Sequence, residues 1–171
     1  MSNYCLLCGE ELQAIELEGR TRLACPRCEW IYYPQLKVSA GVLLEENEQL
    51  LLVQRAIEPW KGLWYLPAGY LEVDEDPIAG AQRETMEETG LQVAVTGLRS
   101  VCMYQDDPRG NGILILYNAV RISGQLSRSS ESLDMGFFSK HEIKQLPLAG
   151  ACHMQAIRQW IKEKEEGISL G

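Results

Sequence analysis

From residue 37 onward the chain alternates short apolar runs with polar turns. KVSAGVLLEE and EQLLLVQRA read as two strands joined by the acidic turn around Glu46 and Asn47. GLWYLPAGYLE is a third extended segment, and the tight turn at Pro67, Ala68, Gly69 and Tyr70 leads out of it. The period then changes: Ile78, Ala81, Thr85 and Thr89 recur at helical spacing and predict a buried stripe. Asp76 before Pro77 supplies an N-cap with proline at the first helical position, and Gly90 stands where a left-handed C-cap would fall. QVAVTGLRSVCMY and GILILYNAVRIS predict two further strands around the polar loop DDPRGNG. A serine-rich loop over residues 123–132 ends at a short strand, DMGFFS, and HEIKQL follows as a short helix. The last helix, residues 152–166, places Met154, Ile157, Trp160 and Ile161 on one side and leaves its IKEKEE end solvated.

The first 34 residues follow a different logic. Cys5-x2-Cys8, sixteen residues, then Cys25-x2-Cys28 is the double-knuckle spacing of a four-thiolate zinc site, and the segment between alternates enough for short strands. So short a stretch cannot bury a core of its own, so metal supplies much of its stability. Two disulfides are the competing arrangement. The expected organisation is a zinc ribbon over residues 1–34 and a larger domain over 36–171.

Composition bounds the rest. The chain has 171 residues, 46% of them hydrophobic, enough for one medium core with a small appendage. No apolar stretch reaches the eighteen residues a membrane span needs, and the N-terminus lacks the basic and apolar regions of a secretion signal, so a cytoplasmic protein with no membrane partner is expected. A reducing cytoplasm favours zinc over disulfides at the four clustered cysteines. Cys102 and Cys152 are then small packing residues, and His141 and His153 take surface or packing roles. The net charge of -8 opposes binding to nucleic acid, and a polyphosphate substrate would need a metal intermediary.

The helix over residues 77–89 carries the chemistry. Glu84, Glu87 and Glu88 fall at i, i+3 and i+4, which gathers three carboxylates on one face. Such a cluster repels itself unless it holds a cation, and hard oxygen donors suit Mg2+ or Mn2+ better than zinc. A solvated glutamate face is the plainer alternative. Arg83 can pair with Glu84 and orient it, and Glu75 lies where an acid favours the positive helix start.

The segment GYLEVDEDPIAGAQRETMEETGL resembles the Nudix box, G-x5-E-x7-R-E-U-x-E-E-x-G-U, where U is aliphatic. Gly69, Glu75, Arg83, Glu84, Glu87, Glu88, Gly90 and Leu91 match, while Thr85 replaces an aliphatic residue whose packing role its methyl can fill. The resemblance implies an α/β/α sandwich and metal-dependent hydrolysis of a diphosphate. Glu84 and Glu88 become the chief metal ligands, Glu87 a ligand or a water-orienting group, and Arg83 and Glu75 their support. Glu131 in the serine-rich loop is the loop candidate for a general base. Gly69, Arg55, Trp60 and Tyr70 are the candidate substrate contacts, with at least two of Trp60, Trp64, Tyr65 and Tyr70 expected in the core. A ribbon ahead of the box makes the chain similar to NADH, FAD and ADP-ribose pyrophosphatases, and many family members are homodimers. The sequence SQPWPFPxS, typical of NADH pyrophosphatases, is absent. The expected substrate is therefore an adenine dinucleotide or ADP-sugar, cleaved to AMP and a second monophosphate. A nucleoside triphosphate-cleansing hydrolase and a non-catalytic adaptor are the alternatives.

Overall fold

A computed structural model describes residues 3–167, so the outermost bounds of the two expected domains lie outside the described residues. The chain divides into two compact units, Met1–Leu36 and Lys37–Gly171.

In the first unit β1 (Gln13–Leu17), β2 (Arg20–Ala24) and β3 (Ile31–Tyr32) form an antiparallel sheet. Glu18 and Gly19 both take positive φ, which suits the two-residue turn between β1 and β2. The cysteine turns are built alike. Gly9 N–H donates to the Cys5 carbonyl at 2.9 Å and Glu29 N–H to the Cys25 carbonyl at 3.1 Å, with positive φ at Gly9 and Glu29. Little apolar matter is buried here besides Leu12, Cys5 and Cys25.

The second unit is a mixed sheet between helices. Its strands are β4 (Lys37–Glu46), β5 (Gln49–Arg55), β6 (Trp64–Tyr65), β7 (Ala68–Tyr70), β8 (Leu91–Tyr104), β9 (Gly112–Gly124) and β10 (Ser132–Ser139). The order is β10-β5-β4-β9-β8, with β6 on β5 and β7 on β4; β4 and β9 run parallel and the other pairs antiparallel. Residues 39–44 of β4 are all buried because both sheet faces are covered. Ala40, Val42 and Leu44 meet Ala81 of helix α1 (Pro77–Thr89), while Leu43 lies in the opposite core with Ile157 and Trp160 of helix α3 (Ala151–Glu165). Helix α2 (Lys140–Ile143) is a single turn closed by a capping box between Ser139 and Glu142.

Three expectations need correction. Cys102 and Cys152 are not separate packing residues but a disulfide joining β8 to the first turn of α3. Their separation of 50 residues left no local pattern to read. Of the expected stripe on α1, Ala81, Thr85 and Thr89 are buried but Ile78 is 42% exposed, and the packed face also includes Gly80 and Glu88. The third extended segment is two short strands on different neighbours, parted at Leu66 and Pro67. Among the described residues no helix is long and apolar enough to cross a membrane.

Candidate active site

The caps hold α1 in register. Asp76 accepts a hydrogen bond from Ile78 N–H at 2.9 Å, Pro77 opens the helix, and Gly90 at φ 75° donates to the Met86 carbonyl. Thr85 and Thr89 are fully buried and satisfy their hydroxyls on the carbonyls four residues back, at 2.7 and 2.5 Å. Thr85 thus fills the aliphatic position of the box without leaving a polar atom unpaired.

One turn of this helix spreads three carboxylates from interior to surface. Glu88 is buried, takes the Tyr65 hydroxyl as a donor and accepts from Ala68 N–H at 3.0 Å. Burial pushes its pKa up to about 8, against the lowering effect of those two donors, and Glu84 raises it further. Glu84 is half-buried, and desolvation raises its pKa although Arg83 pulls the other way. Glu87 is exposed.

Arg83 ties the outer carboxylates together. It binds Glu75 through Nε at 2.7 Å and Nη2 at 2.8 Å, and reaches Glu84 at 2.8 Å and Glu87 at 3.1 Å through Nη1. Nη2 also donates to the Tyr70 carbonyl at 3.1 Å, which fixes the turn ahead of the helix. The fork holds Glu75 below the usual carboxylate range. Gly80 leaves the space in which Glu75 and Leu71 sit, and Gly69 leaves the space filled by the Glu84 carboxyl group. Close approach therefore requires glycine at both positions.

A cavity of about 470 Å³ opens beside this turn. Of the residues singled out from the sequence, Arg55, Trp60, Gly69, Tyr70, Glu84, Glu87, Glu88 and Glu131 line it, whereas Glu75 and Arg83 stand behind. Trp64 and Tyr65 are the two aromatics of that segment that are buried. Arg55 pairs with no box carboxylate; its Nε donates to the Pro59 carbonyl at 3.0 Å and its guanidinium lies over the Tyr65 ring. The serine-rich loop is pinned by Ala56 N–H donating to the Glu131 carbonyl at 2.8 Å.

Sequence reasoning missed the part of the lining around Asp107 and the start of α3. Asp107 is buried and grips the Arg109 side chain through Nε and Nη2, and Arg109 in turn lies over the Tyr70 ring. Asp106 caps α3 by accepting from Ala151 N–H at 2.8 Å. The signal was present, since the acid pair of DDPRGNG opens a turn, but the helix it caps lies 45 residues away. His153 stacks edge-on to Tyr65 with ring centroids 5.5 Å apart, and burial lowers its pKa to about 4, which keeps it neutral.

Two donor sets differ in what they suit. Sγ atoms of Cys5 and Cys28, and of Cys8 and Cys25, lie 3.5 Å apart, and those of Cys8 and Cys28 3.7 Å. A tetrahedron with zinc–sulfur bonds of about 2.3 Å has edges of about 3.8 Å, so the four thiols fit zinc. Among the described residues only these four bring three or more metal-ligating atoms within 4.8 Å of one another. Glu84 and Glu87 share Arg83 while Glu88 is held by Tyr65 and Ala68 N–H, yet all three line one cavity, and no basic side chain bonds to buried Glu88. Hard oxygen donors with a carboxylate short of positive charge fit Mg2+ or Mn2+.

The chain resembles known proteins in sequence and fold. Over 128 residues the chain is 31% identical to the ADP-ribose pyrophosphatase of Methanocaldococcus jannaschii, covering 74% of each protein. It is 30% identical over 162 residues to the NAD-capped RNA hydrolase NudC of Pectobacterium carotovorum, a match over 92% of this chain but 59% of that protein. The crystal structure of a NUDIX hydrolase from Nitrosomonas europaea superposes with a TM-score of 0.85 at 31% identity, covering 98% of this chain and 94% of the other. Residues 35–160 match the family model of the NUDIX domain, and the chain belongs to the NUDIX family.

Proposed function

We propose that the protein hydrolyses the diphosphate bond of an adenine dinucleotide or ADP-sugar, such as FAD or ADP-ribose, to AMP and a second monophosphate. The observation that carries this reading is a buried glutamate, Glu88, beside Glu84 and Glu87 on a cavity wide enough for a nucleotide. Similarity to an ADP-ribose pyrophosphatase supports the substrate class.

Glu84, Glu87 and Glu88 would hold Mg2+ or Mn2+, and Cys5, Cys8, Cys25 and Cys28 a structural Zn2+. When bound, the divalent ion withdraws charge from the diphosphate and lowers the pKa of coordinated water. The chain's own residues supply the positioning. Tyr65 and Ala68 N–H fix the Glu88 carboxylate, and Arg83, braced by Glu75, fixes those of Glu84 and Glu87. Glu131, exposed in the cavity lining, would accept a proton from the attacking water. Arg55 would meet the phosphates, and Trp60 and Tyr70 would offer rings to the base.

Mass-spectrometric product analysis of a pool of FAD, ADP-ribose, NADH and NAD with Mg2+ or Mn2+ tests this reading. AMP and the partner monophosphate are expected, with FAD or ADP-ribose consumed first. Release of pyrophosphate from nucleoside triphosphates, with the pool untouched, would replace it by the cleansing-hydrolase alternative.

Gly69→Ala tests the positioning argument. An added methyl overlaps the Glu84 carboxyl group. The carboxylate must swing away while the fold stands. The expected result is a fall in kcat on the order of a hundredfold with little change in Tm, because small displacements of a reacting constellation are costly. Unchanged kcat would remove Glu84 from the reacting geometry.

A further inference from the structure

We propose that the Cys102–Cys152 disulfide is a site of reversible thiol–disulfide exchange that sets the shape of the substrate cavity. The bond joins β8 to α3, two elements that lead into the cavity lining. β8 leads from Cys102 into the loop carrying Asp106, Asp107 and Arg109, while Ala151, Cys152 and His153 form the first turn of α3; all of these but Cys102 line the cavity. Besides the disulfide, β8 and α3 are joined by the Arg99–Glu163 ion pair near the far end of the helix, and the loop and the first turn of α3 by the hydrogen bond from Ala151 N–H to Asp106. His153 continues the connection inward, because its ring rests on Tyr65, and Tyr65 donates to Glu88. Breaking the disulfide therefore loosens the cavity-lining first turn of α3, which is then tied to the loop by that hydrogen bond, while the far end of the helix stays anchored on Arg99.

The two sulfurs are unequal in a way that favours exchange. Cys102 is partly exposed, whereas Cys152 is 3% exposed and occupies the second position of α3. An attacking thiolate from a low-molecular-weight thiol reaches Sγ of Cys102. The sulfur–sulfur bond breaks, and its electron pair leaves on Sγ of Cys152, where the positive end of α3 offsets part of the cost of a thiolate among apolar neighbours. A second external thiolate then attacks the external sulfur of the mixed disulfide and releases Cys102. Two electrons and two protons are gained by the protein, and one external disulfide is formed. A low-molecular-weight disulfide drives the reverse reaction.

The kinetic part rests on the proposed hydrolysis; the exchange itself does not. Zinc-saturated protein is equilibrated in glutathione buffers from oxidised to reduced, alkylated, and mapped by mass spectrometry. Hydrogen exchange and the KM for the preferred substrate are measured at both ends. Cys102 and Cys152 are expected to become alkylated together on reduction, with faster amide exchange over residues 105–111 and 150–154. KM should rise about tenfold with a smaller change in kcat, as expected when positioning is loosened. Cys102→Ala/Cys152→Ala should show the reduced-state values in every buffer. Two freely alkylated thiols in oxidised buffer would overturn the proposal, as would identical amide exchange and KM in both states. Alkylation and amide exchange on the unaltered protein need neither turnover nor the variant, so they decide the matter alone.

Discussion

Glu88→Gln is expected to slow hydrolysis on the order of a thousandfold and to make the magnesium-free protein less sensitive to rising pH. The first effect follows from removing a charged metal donor while keeping its volume. The second follows from the pKa of about 8 that burial imposes on the Glu88 carboxyl. In the unfolded chain this group ionises near its ordinary value of 4.5. Between the two values the native state binds more protons, so stability falls as pH rises from about 4.5 through 8. The full shift corresponds to roughly 4 to 5 kcal/mol lost across that window, an upper bound. Glutamine does not ionise. Its amide oxygen can accept from Ala68 N–H while its nitrogen donates to the Tyr65 hydroxyl oxygen, so it stands in for the protonated carboxyl. The variant should therefore match the parent near pH 5 and become the more stable protein towards pH 8. Urea melts in magnesium-free buffer at both pH values check this. Parallel pH profiles would show that Glu88 carries no unpaired charge, and full turnover would remove it from the metal site.

Removing zinc is expected to unfold the first unit outright. Its sheet buries few apolar side chains besides Leu12 and the cysteines, and each cysteine turn closes on its own backbone. Structural zinc contributes about 10 to 16 kcal/mol in domains of this kind, far more than so small a core supplies. With a zinc-selective chelator, amide protection over residues 5–32 should vanish while that of β4 and β5 persists. Cys25→Ser should lower bound zinc below one per chain. Retained protection in the zinc-free protein would mean that the short sheet holds itself.

The sequence made legible what repeats locally or is spaced by helix geometry. The caps of α1 are visible in Asp76, Pro77 and Gly90, and the strand pair around Asn47 in its flanking apolar runs. Metal-ligand spacing announced the four clustered cysteines. What escaped was long-range. Of the expected buried stripe of α1, Ala81, Thr85 and Thr89 are buried and Ile78 is not, because at the first turn the helix has no partner to cover it, while the packed face also takes in Gly80 and Glu88. Nothing local signals that Tyr65 will meet Glu88 across 23 residues, that Asp106 will cap α3, or that Cys102 will find Cys152. Each is a contact between elements separated by folded chain, and each stands on the cavity wall.

The central claim is that Glu84, Glu87 and Glu88 gather divalent cations for cleavage of a diphosphate. Crystals soaked in Mn2+ and measured at the manganese absorption edge address it directly. The account predicts anomalous density within coordination distance of the Glu84 and Glu88 carboxylates, with Arg83 still held by Glu75. No manganese among these three side chains at saturating concentration, with the zinc peak at the cysteines intact, would contradict it.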